Sequence, residues 1–232
     1  MPSKLKTLRR AWQTSSLGTE STLHQLAPYI GKLKTSIASC LVSNFSKRGD
    51  VVFDPFSGSG VVPLESLLLG RGTMANDLNP YAATLSRAKL FPICSKPAAI
   101  DRAMQYVAMA KRRSRRVNHR VPAPPWVGKF FHPRTLAEVK ILADILKRDE
   151  QWFLLANLLG ILHHQRPGFL SYPASHLVPY LRIRKFPPSR FPELYEYRDV
   201  GPRLVRKLER TYRRYTPFAA DLPRFFTQGD MR

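Results

Sequence analysis

Cysteine and acid are what this chain has least of. Among its 232 residues there are 2 cysteines, Cys40 and Cys94. They lack metal-ligand spacing, which argues against a zinc site or a disulfide scaffold and suggests a reducing cytoplasm. Asp and Glu number 16 against 38 Lys and Arg, for a formal net charge of +22. That imbalance calls for a polyanionic partner, nucleic acid in the simplest case, with an acidic membrane surface as the competing reading. No apolar run of about 18 residues exists, so no spanning helix is expected. Lys4, Lys6, Arg9 and Arg10 are followed by polar Gln13-Thr14-Ser15-Ser16, where a secretory signal would have an apolar stretch. No internal repeat is visible.

What the chain does have is concentrated between Val51 and Pro80. Val51 to Asp54 is a short β-branched apolar run, as a buried parallel strand requires. Asp54-Pro55-Phe56-Ser57-Gly58-Ser59-Gly60 breaks it, and its glycines allow a sharp turn and close approach to a ligand. Ser57 and Ser59 are expected to cap the helix that follows, Val61 to about Leu69. Thr73 to Asn76 reads as the next strand, with Asp77 just past its carboxyl end. The carboxylates of Asp54 and Asp77 lie 23 positions apart, the interval between a phosphate-loop strand and a ribose-binding acid. A dinucleotide fingerprint would place a third glycine where Pro63 stands, so NAD is disfavoured.

Asp54-Pro55-Phe56-Ser57-Gly58-Ser59-Gly60 resembles the first motif of the S-adenosylmethionine-dependent methyltransferases, in particular the amino-methylating DNA methyltransferases. Asp77-Leu78-Asn79-Pro80 fits the ending of that family's second motif. His24 to Leu33 resembles the short motif that precedes the cofactor loop in the permuted class, although Pro28 could equally open a helix. The resemblance implies a Rossmann-like class I methyltransferase core, α/β with a partial sheet, carrying an inserted, mainly helical basic subdomain. It implies that S-adenosylmethionine is held by Pro28, Tyr29, Asp54, Pro55, Phe56, Ser57, Gly58, Gly60, Asp77, Leu78 and Asp230. The last of these follows Phe225 to Thr227, expected as a third strand.

The division expected is a basic lead at 1–20, a cofactor-binding α/β core at 21–95, a basic helical insert at 96–215 and the third strand at 216–232. Within the insert, helices are expected over Ala98 to Arg113, Thr135 to Arg148 and Trp152 to His163, with a loop at Pro122 to Trp126. Lys111 to Arg116 forms a dense basic cluster. Between Arg182 and Arg214 stand 11 Lys or Arg interleaved with Phe186, Phe191, Tyr195, Tyr197, Tyr212 and Tyr215. Those aromatics could stack on bases or pack a small subdomain. Arg112, Arg113, Arg115, Arg116, Arg182, Arg184 and Lys185 are the candidate nucleic-acid contacts. Gln165 to Ser171 and Ser175 to Tyr180 resemble the inserted, DNA-facing region of some permuted enzymes. Adjacent His163 and His164 lack the i, i+4 spacing of helical metal ligands.

The family's catalytic tetrapeptide, a polar residue followed by Pro-Pro-aromatic, is not found. Ala123-Pro124-Pro125-Trp126 lacks the polar side chain, and Phe186-Pro187-Pro188-Ser189 fails at both ends. Neither cysteine follows a proline directly, which argues against a cytosine-C5 enzyme. No catalytic residue is therefore assigned. The function implied is transfer of methyl to the exocyclic amino group of adenine or cytosine in DNA, by a restriction-modification type enzyme or a fragment of one. A second chain supplying the catalytic half, a catalytically incomplete binding remnant and an RNA methyltransferase remain alternatives.

Overall fold

The computed structural model describes residues 10, 12–13, 19–162, 169–172 and 179–230. His163 and His164, the stretches 165–168 and 175–178 of the expected DNA-facing region, and most of the basic lead lie outside them. The chain forms two compact units, one of residues 1–94 with 211–232 and the other of residues 95–210.

In the first unit, a 3-10 turn at Thr22–Gln25 precedes helix α1 (Thr35–Phe45). Strand β1 (Val51–Asp54), helix α2 (Val61–Leu68), strand β2 (Gly72–Asn76) and helix α3 (Pro80–Leu90) follow. Strand β3 (Arg224–Thr227) completes a parallel sheet of order β1-β2-β3. Phe53 faces Met74 across the β1-β2 ladder, and Met74 faces Phe225 across β2-β3. Helix α2 packs on β1 and β2, and α3 on β3. Leu67, Ala75 and Leu90 form a buried centre between them, with Phe218, Leu222 and Phe226 around it.

The start of α3 shows the local logic. Asn79 Oδ1 accepts from the Tyr81 amide, and Pro80 opens the helix where its missing N–H costs nothing. Residues 27–34 are not helical, so Pro28 does not open a helix. The four-residue spacing of Leu33, Ile37, Leu41 and Phe45 suggests one buried helix face; on α1 Ile37 is buried, with Ala38 and Val42, while Phe45 is exposed.

The opposite face of the sheet is bare among the described residues. Val51 is 50% exposed, Phe53 54%, Met74 46% and Phe225 59%. Three of these make one row across the ladder. Beyond β1, no further strand pairs among the described residues.

The second unit is built on α4 (Lys96–Arg116), α6 (Pro133–Arg148) and α7 (Trp152–Leu159). A short helix α5 (Pro125–Gly128) stands where a loop was expected. Helices α8 (Pro179–Lys185) and α9 (Val200–Thr211) follow. Helix α4 buries Ala99, Ala103, Val107, Ala110 and Ser114, a face of small residues that lets α6 approach closely. Ile100, Met104 and Met109, the large apolar residues in the same stretch, are not on the buried face. A small three-stranded parallel sheet together with mixed helices is compatible with an α/β methyltransferase fold. No helix among the described residues is long and apolar enough to cross a membrane.

Candidate functional site

The loop between β1 and α2 closes on itself and on the end of β2. The Ser57 amide donates to the Asn76 carbonyl at 2.9 Å, and the Gly60 amide to the Ser57 carbonyl at 2.7 Å. Gly58 and Gly60 have φ of +52° and +72°, in the left-handed region that side chains disfavour. At Gly60 an added Cβ would stand 2.9 Å from Ser86 Cα and 2.8 Å from its Oγ. At Gly58 it would meet the Tyr29 ring at 3.4 Å. Both glycines are therefore dictated by geometry.

The two predicted acids converge on this loop. Asp54 Oδ1 accepts from the Phe56 amide at 3.2 Å. Burial, together with the charge of Asp77, holds the Asp54 carboxyl above its ordinary range, while the Phe56 bond opposes this. Asp77 Oδ2 accepts from the Gly58 amide at 2.7 Å and its Oδ1 from the Asn79 amide at 2.9 Å. Those bonds occupy part of a carboxylate's acceptor capacity and leave lone pairs on both oxygens. Asn76 ties the neighbouring strand ends together. Its Nδ2 donates to the carbonyls of Pro55 (3.3 Å) and Gly229 (3.0 Å), and its Oδ1 accepts from Thr227 at 2.8 Å. The segment bearing Asp230, itself exposed, thereby reaches the carboxyl ends of β1 and β2.

A cavity of about 220 Å³ lies beside the loop, with Tyr29, Lys32, Asp54, Phe56, Gly58 and Ser59 in its wall. The upstream segment and the glycine loop thus share one wall. Tyr29 stacks on Tyr81 with centroids 6.1 Å apart, and Tyr81 donates its hydroxyl proton to the Pro28 carbonyl. Leu78 is exposed, and neither it nor Asp77 lines the cavity. Neither serine caps α2. Gly60 occupies the cap position without a side-chain bond, Ser57 Oγ pairs with Ser86 Oγ at 3.1 Å, and Ser59 Oγ has no partner among the described residues. Ser59 is 4% exposed and lines the cavity, so its hydroxyl is a buried polar group with unused hydrogen-bonding capacity.

Sequence reasoning missed the support behind the loop. From α3, Ser86 Oγ donates to the Gly58 carbonyl at 3.1 Å and Lys89 Nζ to the Ser59 carbonyl. Burial of Lys89 lowers its pKa to about 7. Beneath it, His24 Nε2 lies 2.8 Å from Glu65 Oε1 on α2. Burial lowers the His24 pKa to about 2 and raises that of Glu65 to about 7. Lys89 and Glu65 lie on opposite helices that read as ordinary amphipathic segments, and no spacing marked them as partners.

The candidate nucleic-acid residues separate. Arg112, Arg113, Arg115 and Arg116 are exposed on the last turns of α4, and Arg184 and Lys185 are exposed on α8. Arg182 is turned inward at 1% exposure. Its guanidinium donates to the Lys129 carbonyl and lies over the Phe130 and Tyr172 rings. The interleaved aromatics pack on one another or bond internally: Phe186 against Phe191, Tyr172 against Tyr195, and Tyr197 hydroxyl to Glu138 at 2.8 Å. Ala123 stands in the loop before α5, and no group of three metal-ligating residues occurs among the described residues.

Comparison with known proteins points the same way. Residues 29–118 match the family model for D12 class N6 adenine-specific DNA methyltransferases. The type II methyltransferase M.MjaII of Methanocaldococcus jannaschii is 26% identical over 68 residues, which are 29% of this chain and 13% of that protein. The match thus spans only a small part of that relative's length. No solved structure matches. The resemblance drawn from Asp54 to Pro80 is borne out over the matched stretch, and a methyltransferase family implies a methyl donor.

Proposed function

We propose that this polypeptide supplies the S-adenosylmethionine-binding part of a DNA methyltransferase acting on exocyclic amino groups. Adenine N6 comes first because the matching family is described by it, and cytosine N4 second. The observation that carries this reading is the cavity at the glycine loop, with a half-buried carboxyl, an aromatic ring and an orphaned hydroxyl in its wall.

These residues fit the donor. Asp54 places negative charge where a cationic ligand is favoured, Ser59 Oγ offers an unused hydrogen bond, and Tyr29 with exposed Phe56 supplies apolar walls. Asp77 and Leu78, at the end of β2, are assigned to the ribose and adenine side, with Pro55, Ser57, Gly60 and Pro28 shaping the loop and its cover. Asp230 is assigned to the adenine edge, since its segment is bonded to Asn76. When bound, the donor supplies an electrophilic methyl group on a positively charged sulfur. The chain's own part is to hold that group in place and to strengthen the interaction of Asp54 with it by partial exclusion of water. The first unit is assigned as a partial Rossmann-like core and residues 95–210 as the helical basic insert, facing DNA through Arg112, Arg113, Arg115, Arg116, Arg184 and Lys185.

Titration calorimetry with S-adenosylmethionine tests this, using the unaltered chain and Ser59→Ala. The unaltered chain binds, and Ser59→Ala loses roughly tenfold in affinity, the worth of a hydrogen bond of about 1.4 kcal/mol. Its stability without ligand stays level or rises, because the variant deletes an unsatisfied buried polar atom. No heat of binding to the folded, unaltered chain would refute the proposal.

A further inference from the structure

The last turns of α4 carry a feature beyond a generally basic surface. Met109, Arg112, Arg113 and Arg116 follow the i, i+3, i+4, i+7 spacing of one helical face. With Val117 they form one wall of a cavity of about 400 Å³. Ile145 and Arg148 of α6 form the other. Arg115, between them in sequence, is not in the wall. Four arginines thus line one cavity together with Met109, Val117 and Ile145, and no acid among the described residues lines it. Arg148 Nε donates to Asp149 Oδ1 at 2.7 Å, so its charge is partly answered. No ion pair with an acid is made by Arg112, Arg113 or Arg116 among the described residues.

Like charges gathered round a common space repel one another, and a bound anion reverses the sign of that interaction. Planar guanidiniums match phosphate oxygens in pairs. The volume falls in the range of small-molecule sites, roughly 300–1,000 Å³, and the floor of Met109 and Ile145 suits an apolar sugar face. We propose that this cavity seats one phosphodiester with its sugar from a nucleic-acid backbone, held by Arg112, Arg113, Arg116 and Arg148. The inference rests on the DNA reading above. It adds Arg148 to the contacts, sets Arg115 apart from them, and makes this a defined phosphate position in place of a diffuse field.

The test is fluorescence anisotropy of a short labelled DNA duplex with the full chain across a salt series. The forms compared are the unaltered chain, Arg113→Gln/Arg116→Gln, and Lys147→Gln, which removes an exposed charge beside Arg148 but outside the cavity wall. The arginines altered are exposed, so folding is retained, and an unchanged affinity for S-adenosylmethionine checks this. The double variant is expected to weaken binding about tenfold at low salt and to flatten log K against log salt by about one phosphate. Lys147→Gln should leave the slope as it was. Inorganic phosphate, which offers the same oxygens without the sugar, should displace the duplex from the unaltered chain better than chloride does at equal ionic strength, and should lose that advantage in the double variant.

An unchanged slope in the double variant, an equal effect of Lys147→Gln, or displacement by inorganic phosphate that is the same in the unaltered chain and the double variant would overturn the assignment while leaving the DNA reading intact. Failure of the unaltered chain to bind the duplex at all would overturn both.

Discussion

His24 and Glu65 show how one pair of side chains can set the acid response of the first unit. Burial is the chief cause of both shifts, lowering His24 to about 2 and raising Glu65 to about 7. Between the ordinary values of 4.5 for a free Glu and 6.5 for a free His, the unfolded chain carries one proton on His24. Over that window the folded chain carries one on Glu65. The numbers bound are equal, so the pair contributes no slope to stability there. Below about 4.5 the unfolded chain binds both protons and the folded one still only one, so stability falls with falling pH. Glu65→Gln removes the compensating proton. Its stability should fall as soon as the pH drops below about 6.5, where the wild type stays level. Urea midpoints at intervals from about pH 7 to about pH 4, which span the titrations of both groups, check this, and parallel curves for the two forms would refute it.

At the level of elements, the glycine loop is gripped from behind by α3, and the tightness of that grip makes Gly60 intolerant. Gly60→Ala forces a side chain into the left-handed region, at about 1–2 kcal/mol, and into Ser86, at about 1–3 kcal/mol. A loss of about 2–5 kcal/mol in urea unfolding is expected. Because the added Cβ meets Ser86 Cα as well as Oγ, Gly60→Ala/Ser86→Ala should recover little. Full recovery would show that backbone crowding is not the cause. The loop itself was legible in sequence: two glycines, a strand before and an acid after leave few arrangements, and β1, α2 and β2 appear where expected to within a residue. The supports were not legible, since Ser86 and Lys89 meet the loop only through the crossover that stacks α3 beside α2. The cap assigned to Ser57 and Ser59 failed for a related reason. Gly60 takes the cap position itself, and the two hydroxyls face α3 and the cavity. On α4 the buried face is Ala99, Ala103, Val107, Ala110 and Ser114, in which Val107 is the one bulky apolar side chain, so a spacing of large apolar residues marks it poorly; close helix packing rewards small side chains there.

For the whole molecule, two surface features pull in opposite directions as salt changes. A net charge of +22 keeps copies of the chain apart at low ionic strength. The bare sheet row of Phe53, Met74 and Phe225 draws them together, aided by the open edge of β1. Parallel sheets are ordinarily covered on both faces, so this apolar surface is a source of association wherever it meets water. Salt shortens the range of the charge repulsion, to about 10 Å at 0.1 M, and leaves the apolar attraction in place. Self-association should therefore rise with added salt, in the concentration range where binding to nucleic acid falls. Phe53→Lys places a charge in the middle of β1 at a half-exposed position, where the folded unit loses little. Sedimentation velocity across a salt series should show the mean mass of the wild type climbing while that of Phe53→Lys stays near the monomer. Association that persists in the variant, or that decreases with salt in the wild type, would assign the contact to charged surface instead of the open sheet.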